Sequence, residues 1–187
     1  MKKLIAGVDE VGRGSLVGPV YAAAVILNKK IDKAEIKDSK KLTKKKREIL
    51  EKYIKKNSIW SIGIASKKEI EKYNILVASL MAMKRAIKKL KYKPHTVFID
   101  GNKKPEIKKY HLKTIIKGDE KKPEISAASI IAKVARDKFI SKLGKKFKAY
   151  NWDRNFGYGT KQHLDAIKSF GITSHHRKTF APINTEK

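Results

Sequence analysis

The chain has 187 residues, a single-domain size long enough to bury a sizeable core. Its 46 Lys and Arg outnumber 18 Asp and Glu, for a net charge of +28 and a pI near 10.1, so nucleic acid is the leading partner, although 40 of the 46 are Lys and a general Lys excess would give the same figure. The absence of cysteine excludes disulfides and thiolate-metal sites and fits a reducing cytoplasm, and no apolar run is long enough for a membrane span or a secretory core.

Residues 3 to 9 and 19 to 27 read as buried strands, rich in apolar and β-branched residues and bounded by Gly or Pro. A helix is expected from Thr43 to Lys56, with Leu42, Ile49, Leu50, Tyr53 and Ile54 inside and a Lys-rich face outside. A strand follows from Ile59 to Ala65. A second helix runs from Asn74 to Leu90, with Leu76, Leu80, Met83 and Ile87 at helical spacing and read as core. Thr96 to Ile99 is a short strand that delivers Asp100, and Leu112 to Ile116 is another that leads to Gly118 and Asp119. A long helix then spans Glu124 to Phe147, and a last one Lys161 to Phe170. This order gives an α/β protein, a mixed sheet covered by helices. After Phe147, aromatic and basic residues interleave, which divides the chain into a main domain at 1–148 and a small helical C-terminal appendage at 149–187.

The chemistry concentrates in Gly7-Val8-Asp9-Glu10-Val11-Gly12-Arg13-Gly14, where an apolar strand ends in two carboxylates followed by a Gly-Arg-Gly turn. Carboxylate oxygens are hard ligands suited to Mg²⁺ or Mn²⁺. Gly12 and Gly14 let the backbone approach a ligand closely, and Arg13 adds a positive fork for phosphate. Asp100 and Asp119 also stand at strand ends, so three distant segments bring four acids to one edge. Two divalent ions held there could activate water and stabilise a leaving oxygen. Successive strand residues face opposite ways, so Asp9 and Glu10 share a site only if the strand breaks or twists there, and Gly12 is the expected break. With no cysteine and five histidines, no zinc site is expected.

The opening pattern resembles that of the ribonuclease HII family, the bacterial and archaeal type 2 ribonucleases H. Further blocks match in order: Asp38-Ser39-Lys40-Lys41-Leu42-Thr43, Asn74 with Ala82-Met83, Phe98-Ile99-Asp100-Gly101, and Gly118-Asp119 with Ile125 to Asp137. Gly157-Tyr158-Gly159-Thr160 with His163, and His176-Arg177 with Phe180, complete the series. The resemblance runs from Ile5 to Phe180 and implies an RNase H-like fold. It makes Asp9, Glu10, Asp100 and Asp119 the catalytic and metal-binding acids, with two Mg²⁺ or Mn²⁺ ions during catalysis. It also implies that Gly12, Arg13 and Gly14 contact the 2′-hydroxyl and phosphates of an RNA-DNA junction, and that Tyr158 lies against the deoxyribose beyond the ribonucleotide.

Ser39, Lys40, Lys41 and Thr43 are candidates for holding a phosphate, with helix capping an equal alternative. Asp137 is assigned a supporting role, paired with Lys133 or Ser141. The implied partners are RNA-DNA hybrids and ribonucleotide-containing duplex DNA, cut by a monomeric cytoplasmic enzyme that leaves 3′-hydroxyl and 5′-phosphate ends. The alternatives are a type HIII ribonuclease or related metal nuclease, and a non-catalytic RNA-binding protein. Type HIII enzymes carry an N-terminal extension, whereas this chain opens directly on its first strand, and four placed acids would hinder a simple RNA binder.

Overall fold

The computed structural model describes residues 4–29, 31–32, 36 and 42–185. Strands β1 (Ile5–Val11), β2 (Val20–Leu27), β3 (Ser58–Ala65), β4 (Thr96–Asp100) and β5 (His111–Ile115) form one sheet in the order β3-β2-β1-β4-β5. β1, β2 and β3 are an antiparallel meander, while β4 and β5 run parallel to β1. The C-terminal ends of β1, β4 and β5 therefore lie together at one edge. The mixed sheet covered by helices is the arrangement expected from the sequence.

The helices are α1 (Lys44–Lys56), α2 (Lys67–Lys89), α3 (Gly118–Lys121), α4 (Pro123–Gly144), α5 (Trp152–Asn155) and α6 (Lys161–Phe170). α2 covers one face of the sheet and α4 the other, so the central strands are buried on both sides. Along β2, Val20, Ala22, Ala24 and Ile26 pack toward α2, and Ala23 and Val25 toward α4. Both helices approach very closely. A Cβ on Gly63 would collide with the α2 backbone at Ala82 and Ala86, and one on Gly7 with the backbone of Glu124 and Ile125.

Several expected boundaries move for identifiable reasons. α2 begins seven residues before Asn74, because Ser66 and Glu69 form a reciprocal capping box that starts a helix there. Asn74 has φ 66° and breaks that helix, and its Oδ1 accepts from the Val77 N–H to cap the second part. In α1, Ile49 is 61% exposed rather than inside. The buried face is centred on Glu51 and Ile54, and Ile49 lies about 200° round the helix from Glu51. Glu51 is balanced by Lys55 and, at 3.8 Å, by Lys138. α4 ends at Gly144, before Phe147, where Trp152 and Asp153 pack so closely that a Cβ would not fit.

A third apolar cluster joins Leu16, Val17 and Ile140 to Tyr150, Trp152, Ala166, Ile167 and Ile183. It seats the C-terminal segment against the loop that follows β1.

Candidate active site

The acids meet because β4 stops short, not because β1 breaks. β1 continues through Val11 along β2, but its pairing with β4 ends at Val8 opposite Ile99. Asp9 faces α4, where Ser129 supplies a hydrogen bond, while Glu10 reaches past the end of β4 into a cleft it shares with Asp100. Gly12, with φ +94°, turns the chain only after both carboxylates are placed. Asp9 is 6% exposed, and its Oδ1 accepts the Glu10 N–H at 2.7 Å. Asp100 Oδ1 accepts the Gly118 N–H at 2.7 Å, which ties β4 to α3 and to the buried Asp119 that follows.

This cluster is electrostatically uncomfortable. Burial, then repulsion from Glu10 and Asp100, hold the Asp9 carboxyl well above its ordinary value, against hydrogen bonds from Ser129 and the Glu10 N–H. Burial also raises Glu10, opposed by Arg13, whose guanidinium stands 3.2 Å from Glu10 Oε1. The cleft holds about 290 Å³ and is walled on the α2 side by Leu76, Ser79, Leu80 and Met83. Leu76, Leu80 and Met83 had the spacing of core residues, and periodicity gives no sign that their helix face ends at an open cleft.

The loop after β1 is built oppositely, with its carbonyls held by two fully buried arginines. Arg136 Nε, Nη1 and Nη2 donate to the carbonyls of Pro19, Phe156 and Val17 at 3.1–3.2 Å. Arg177 Nε, Nη1 and Nη2 donate to those of Gly18, Arg13 and Gly12 at 2.8–2.9 Å. A Cβ on Gly12 would collide with Arg136, whereas one on Gly14 would meet nothing within 4 Å. Only Gly12 has positive φ, so the two glycines differ: the fold requires the first and leaves space above the second.

Ser15 pairs with Tyr158 in an isolated bridge, the Leu16 N–H donates to Gly157 at 2.8 Å, and Val17 pairs with His176. Tyr158 is thereby fixed beside the Gly-Arg-Gly turn, half-buried, with Lys133 Nζ and the Arg136 guanidinium carbon 5.7 and 5.6 Å from its ring centre.

Comparison with known proteins identifies the family. The ribonuclease HII family model matches residues 6–183. The chain belongs to the ribonuclease HII family. It is similar to a ribonuclease HII of Pelagibacter ubique, 73% identical over 182 residues, covering 97% of this chain and 98% of that one. Among solved structures, the ribonuclease H2 of Pyrococcus horikoshii OT3 superposes with a TM-score of 0.82 at 26% identity, covering 97% of this chain and 96% of that one. Bst-RNase HIII, solved in complex with Mn²⁺, shares the fold at TM-score 0.71 and 16% identity, and this chain covers only 68% of it. Membership of the ribonuclease HII family makes the protein a ribonuclease H endonuclease.

Within that family frame, Asp9, Glu10 and Asp100 act on one another electrostatically, and Asp119 adjoins them through Gly118. Among the described residues no three His, Cys, Asp or Glu side chains are grouped closely enough to hold a metal ion between them. Arg13 and Gly14 are exposed with Tyr158 fixed beside them through the Ser15 bridge, whereas Gly12 is buried against Arg136. Ser39, Lys40 and Lys41 lie outside the described residues. Thr43 is the N-cap of α1, its Oγ1 accepting from the Lys46 N–H at 3.3 Å. Asp137 is buried and pairs with Lys133 Nζ at 2.9 Å rather than with Ser141.

Arg136 and Arg177 were legible only as members of matched blocks, since nothing in their sequence neighbourhood announces a buried guanidinium. His163 and His176 were equally cryptic. Trp152 Nε1 donates to His163 Nε2 at 2.9 Å, which leaves the His163 Nδ1–H to donate to the Tyr158 carbonyl at 2.9 Å. His176 Nδ1 accepts from the Thr173 N–H at 2.8 Å, and its Nε2–H faces His163 Nε2 at 3.2 Å. Burial lowers both imidazoles, His176 to about 4.

Proposed function

We propose that this ribonuclease H cuts the RNA strand of RNA-DNA hybrids and the phosphodiester 5′ of a ribonucleotide embedded in duplex DNA, leaving 3′-hydroxyl and 5′-phosphate ends. The single observation that carries this is the juxtaposition of an acid cluster with a turn that has open space above Gly14 and an aromatic ring at its side. The donor set is all carboxylate oxygen, and Asp9 and Glu10 are disfavoured as anions by burial and crowding, so a hard divalent cation fits there. Asp9, Glu10, Asp100 and Asp119 would hold Mg²⁺ or Mn²⁺, which supplies Lewis acidity toward phosphate and a nucleophilic water. Magnesium takes one or two protein carboxylates plus waters and substrate oxygens, so no closed protein cage is needed.

The remaining tasks fall to the chain's own groups. Arg13, 50% exposed and parked on Glu10, is free to swing to a phosphate when cation binding takes over that carboxylate. Gly12, Arg13 and Gly14 receive the ribose 2′-hydroxyl and its neighbouring phosphate. Tyr158 packs on the next deoxyribose, where a 2′-hydroxyl would crowd the ring. Thr43, with Ser39, Lys40 and Lys41, holds a phosphate farther along the strand while also starting α1. Residues 149–187 act as an appendage that braces Tyr158 against the catalytic body. The protein works as a cytoplasmic monomer; among the described residues no helix is long and apolar enough to cross a membrane.

The test is cleavage of three end-labelled duplexes with and without Mg²⁺: all-DNA, one with a single ribonucleotide, and an RNA-DNA hybrid. Cutting of the two ribose-containing substrates only, and only with the cation, supports the proposal. Binding without cutting would instead favour a non-catalytic RNA binder.

A further inference from the structure

Every nitrogen of the Arg177 guanidinium is bonded to the loop after β1, and two of the three bonds go to successive carbonyls, those of Gly12 and Arg13. A trans peptide is planar, with its C=O and the following N–H pointing in opposite directions. Pulling the Gly12 carbonyl inward therefore turns the Arg13 N–H outward, and pulling the Arg13 carbonyl inward turns the Gly14 N–H outward. Both residues are exposed, and neither N–H donates to another group among the described residues. The space where a Gly14 Cβ would sit is open. Two adjacent N–H groups aimed at open space form a cradle for an electron-rich oxygen.

We infer that Arg177 is a positioning residue for ribose recognition, its buried guanidinium holding the Arg13 and Gly14 N–H groups toward the substrate oxygen. A lysine could not replace it, because an ammonium lacks the planar fork that reaches three carbonyls in fixed directions. Burial and the neighbouring Arg136 lower Arg177 to about 9, which leaves it charged at neutral pH, and three carbonyl dipoles point at that charge. The assignment rests on the proposal that the Gly-Arg-Gly turn meets the substrate, and it adds the group that aims the turn.

The experiment measures metal-free affinity for a duplex with one ribonucleotide and for the same duplex in DNA, using wild type, Arg177→Lys and Ile167→Ala. Ile167 belongs to the apolar cluster beneath the loop, so its truncation loosens that region without removing a carbonyl partner. Arg177→Lys should lower the ribose preference by about tenfold, the equivalent of one well-aimed hydrogen bond. Ile167→Ala should keep the wild-type preference despite lost stability. Guanidinium added to Arg177→Ala should restore part of the preference.

A parallel measurement on wild type needs no variant to fold. The ¹⁵N–H resonances of Arg13 and Gly14 should shift with the ribonucleotide duplex and much less with the all-DNA one. Unmoved amides, or an undiminished preference in Arg177→Lys, would overturn the role of Arg177. Absence of any ribose preference in wild type would instead overturn the assignment of the turn itself.

Discussion

Asp9–Glu10 and Gly12–Gly18 are neighbours in the chain, yet their electrostatics are opposite. In the first, acids are crowded into a partly buried edge where their own anionic forms are disfavoured. In the second, each of two buried cations is surrounded by three carbonyl oxygens, and the hydroxyl of Ser15 lies 3.0 Å from the Gly157 carbonyl. In the proposed function the crowded cluster is completed by a divalent cation, whereas the carbonyls of the loop already have their partners. The proposed catalysis uses both, a cation site among the acids and a reading surface already held in place.

Neutralising one acid breaks the comparison most severely. Asp9→Asn and Asp100→Asn should each lower turnover by about 10³-fold or more, the scale of losing a metal's hold on the reacting phosphate. The metal-free Asp9→Asn protein should melt no lower than wild type at neutral pH. The folded-state pKa of Asp9 is raised, so the folded form binds the proton better, and the ionised carboxylate costs stability above that pKa. Retained turnover, or a clear fall in metal-free melting temperature, would remove the contrast between the two regions. Asp137→Asn should be milder, because Asp137 is neutralised by Lys133.

The histidine pair sharpens the other half. His176 is lowered to about 4 from an ordinary 6.5, so the unfolded chain takes up its proton first as pH falls. Its contribution is complete above pH 6.5 and is lost progressively down to about pH 4, by about 3 kcal/mol in all. The stability difference between wild type and His176→Gln, followed by denaturant unfolding, should shrink by that order across this window. Asp9 and Glu10 titrate with the opposite sign and remain in both proteins, so they largely cancel in the difference.

These two regions also show how far the sequence could be read. The sheet was accessible because β1, β2 and β4 are short apolar runs, and Asp9 and Asp100 because they terminate two of them. The start of α2 was not, since Lys67 to Tyr73 carries one buried apolar residue, Ile70, and is set by the Ser66 and Glu69 cap. Nor could periodicity place Leu76, Leu80 and Met83 at a cleft, because an apolar residue looks the same whether it meets the core or walls a cavity. The Arg177 bonds join positions about 160 residues apart, a relation that no local pattern contains.

Smaller effects separate the glycines. Gly12→Ala should destabilise the fold by about 1–3 kcal/mol, from strain at positive φ and collision with Arg136. Gly14→Ala should leave unfolding within about 0.5 kcal/mol of wild type and reduce cleavage alone, since its Cβ meets nothing within 4 Å and would intrude only where the substrate is proposed to sit. Equal stability losses would make both glycines structural. Tyr158→Ala should impair the single-ribonucleotide substrate a few-fold more than a continuous hybrid, because only the junction offers the deoxyribose. Equal losses would reduce Tyr158 to a loop support.

The most direct test of the central claim, that the acid cluster directs hydrolysis at a site chosen by the rigid turn, is the chemistry of the cut ends. A duplex with one ribonucleotide, digested with Mg²⁺ and resolved by mass spectrometry, should give a fragment ending in a 3′-hydroxyl and one beginning with the 5′-phosphate of that ribonucleotide. A 2′,3′-cyclic phosphate on the ribonucleotide would mean that its own 2′-hydroxyl attacked, and would contradict the claim.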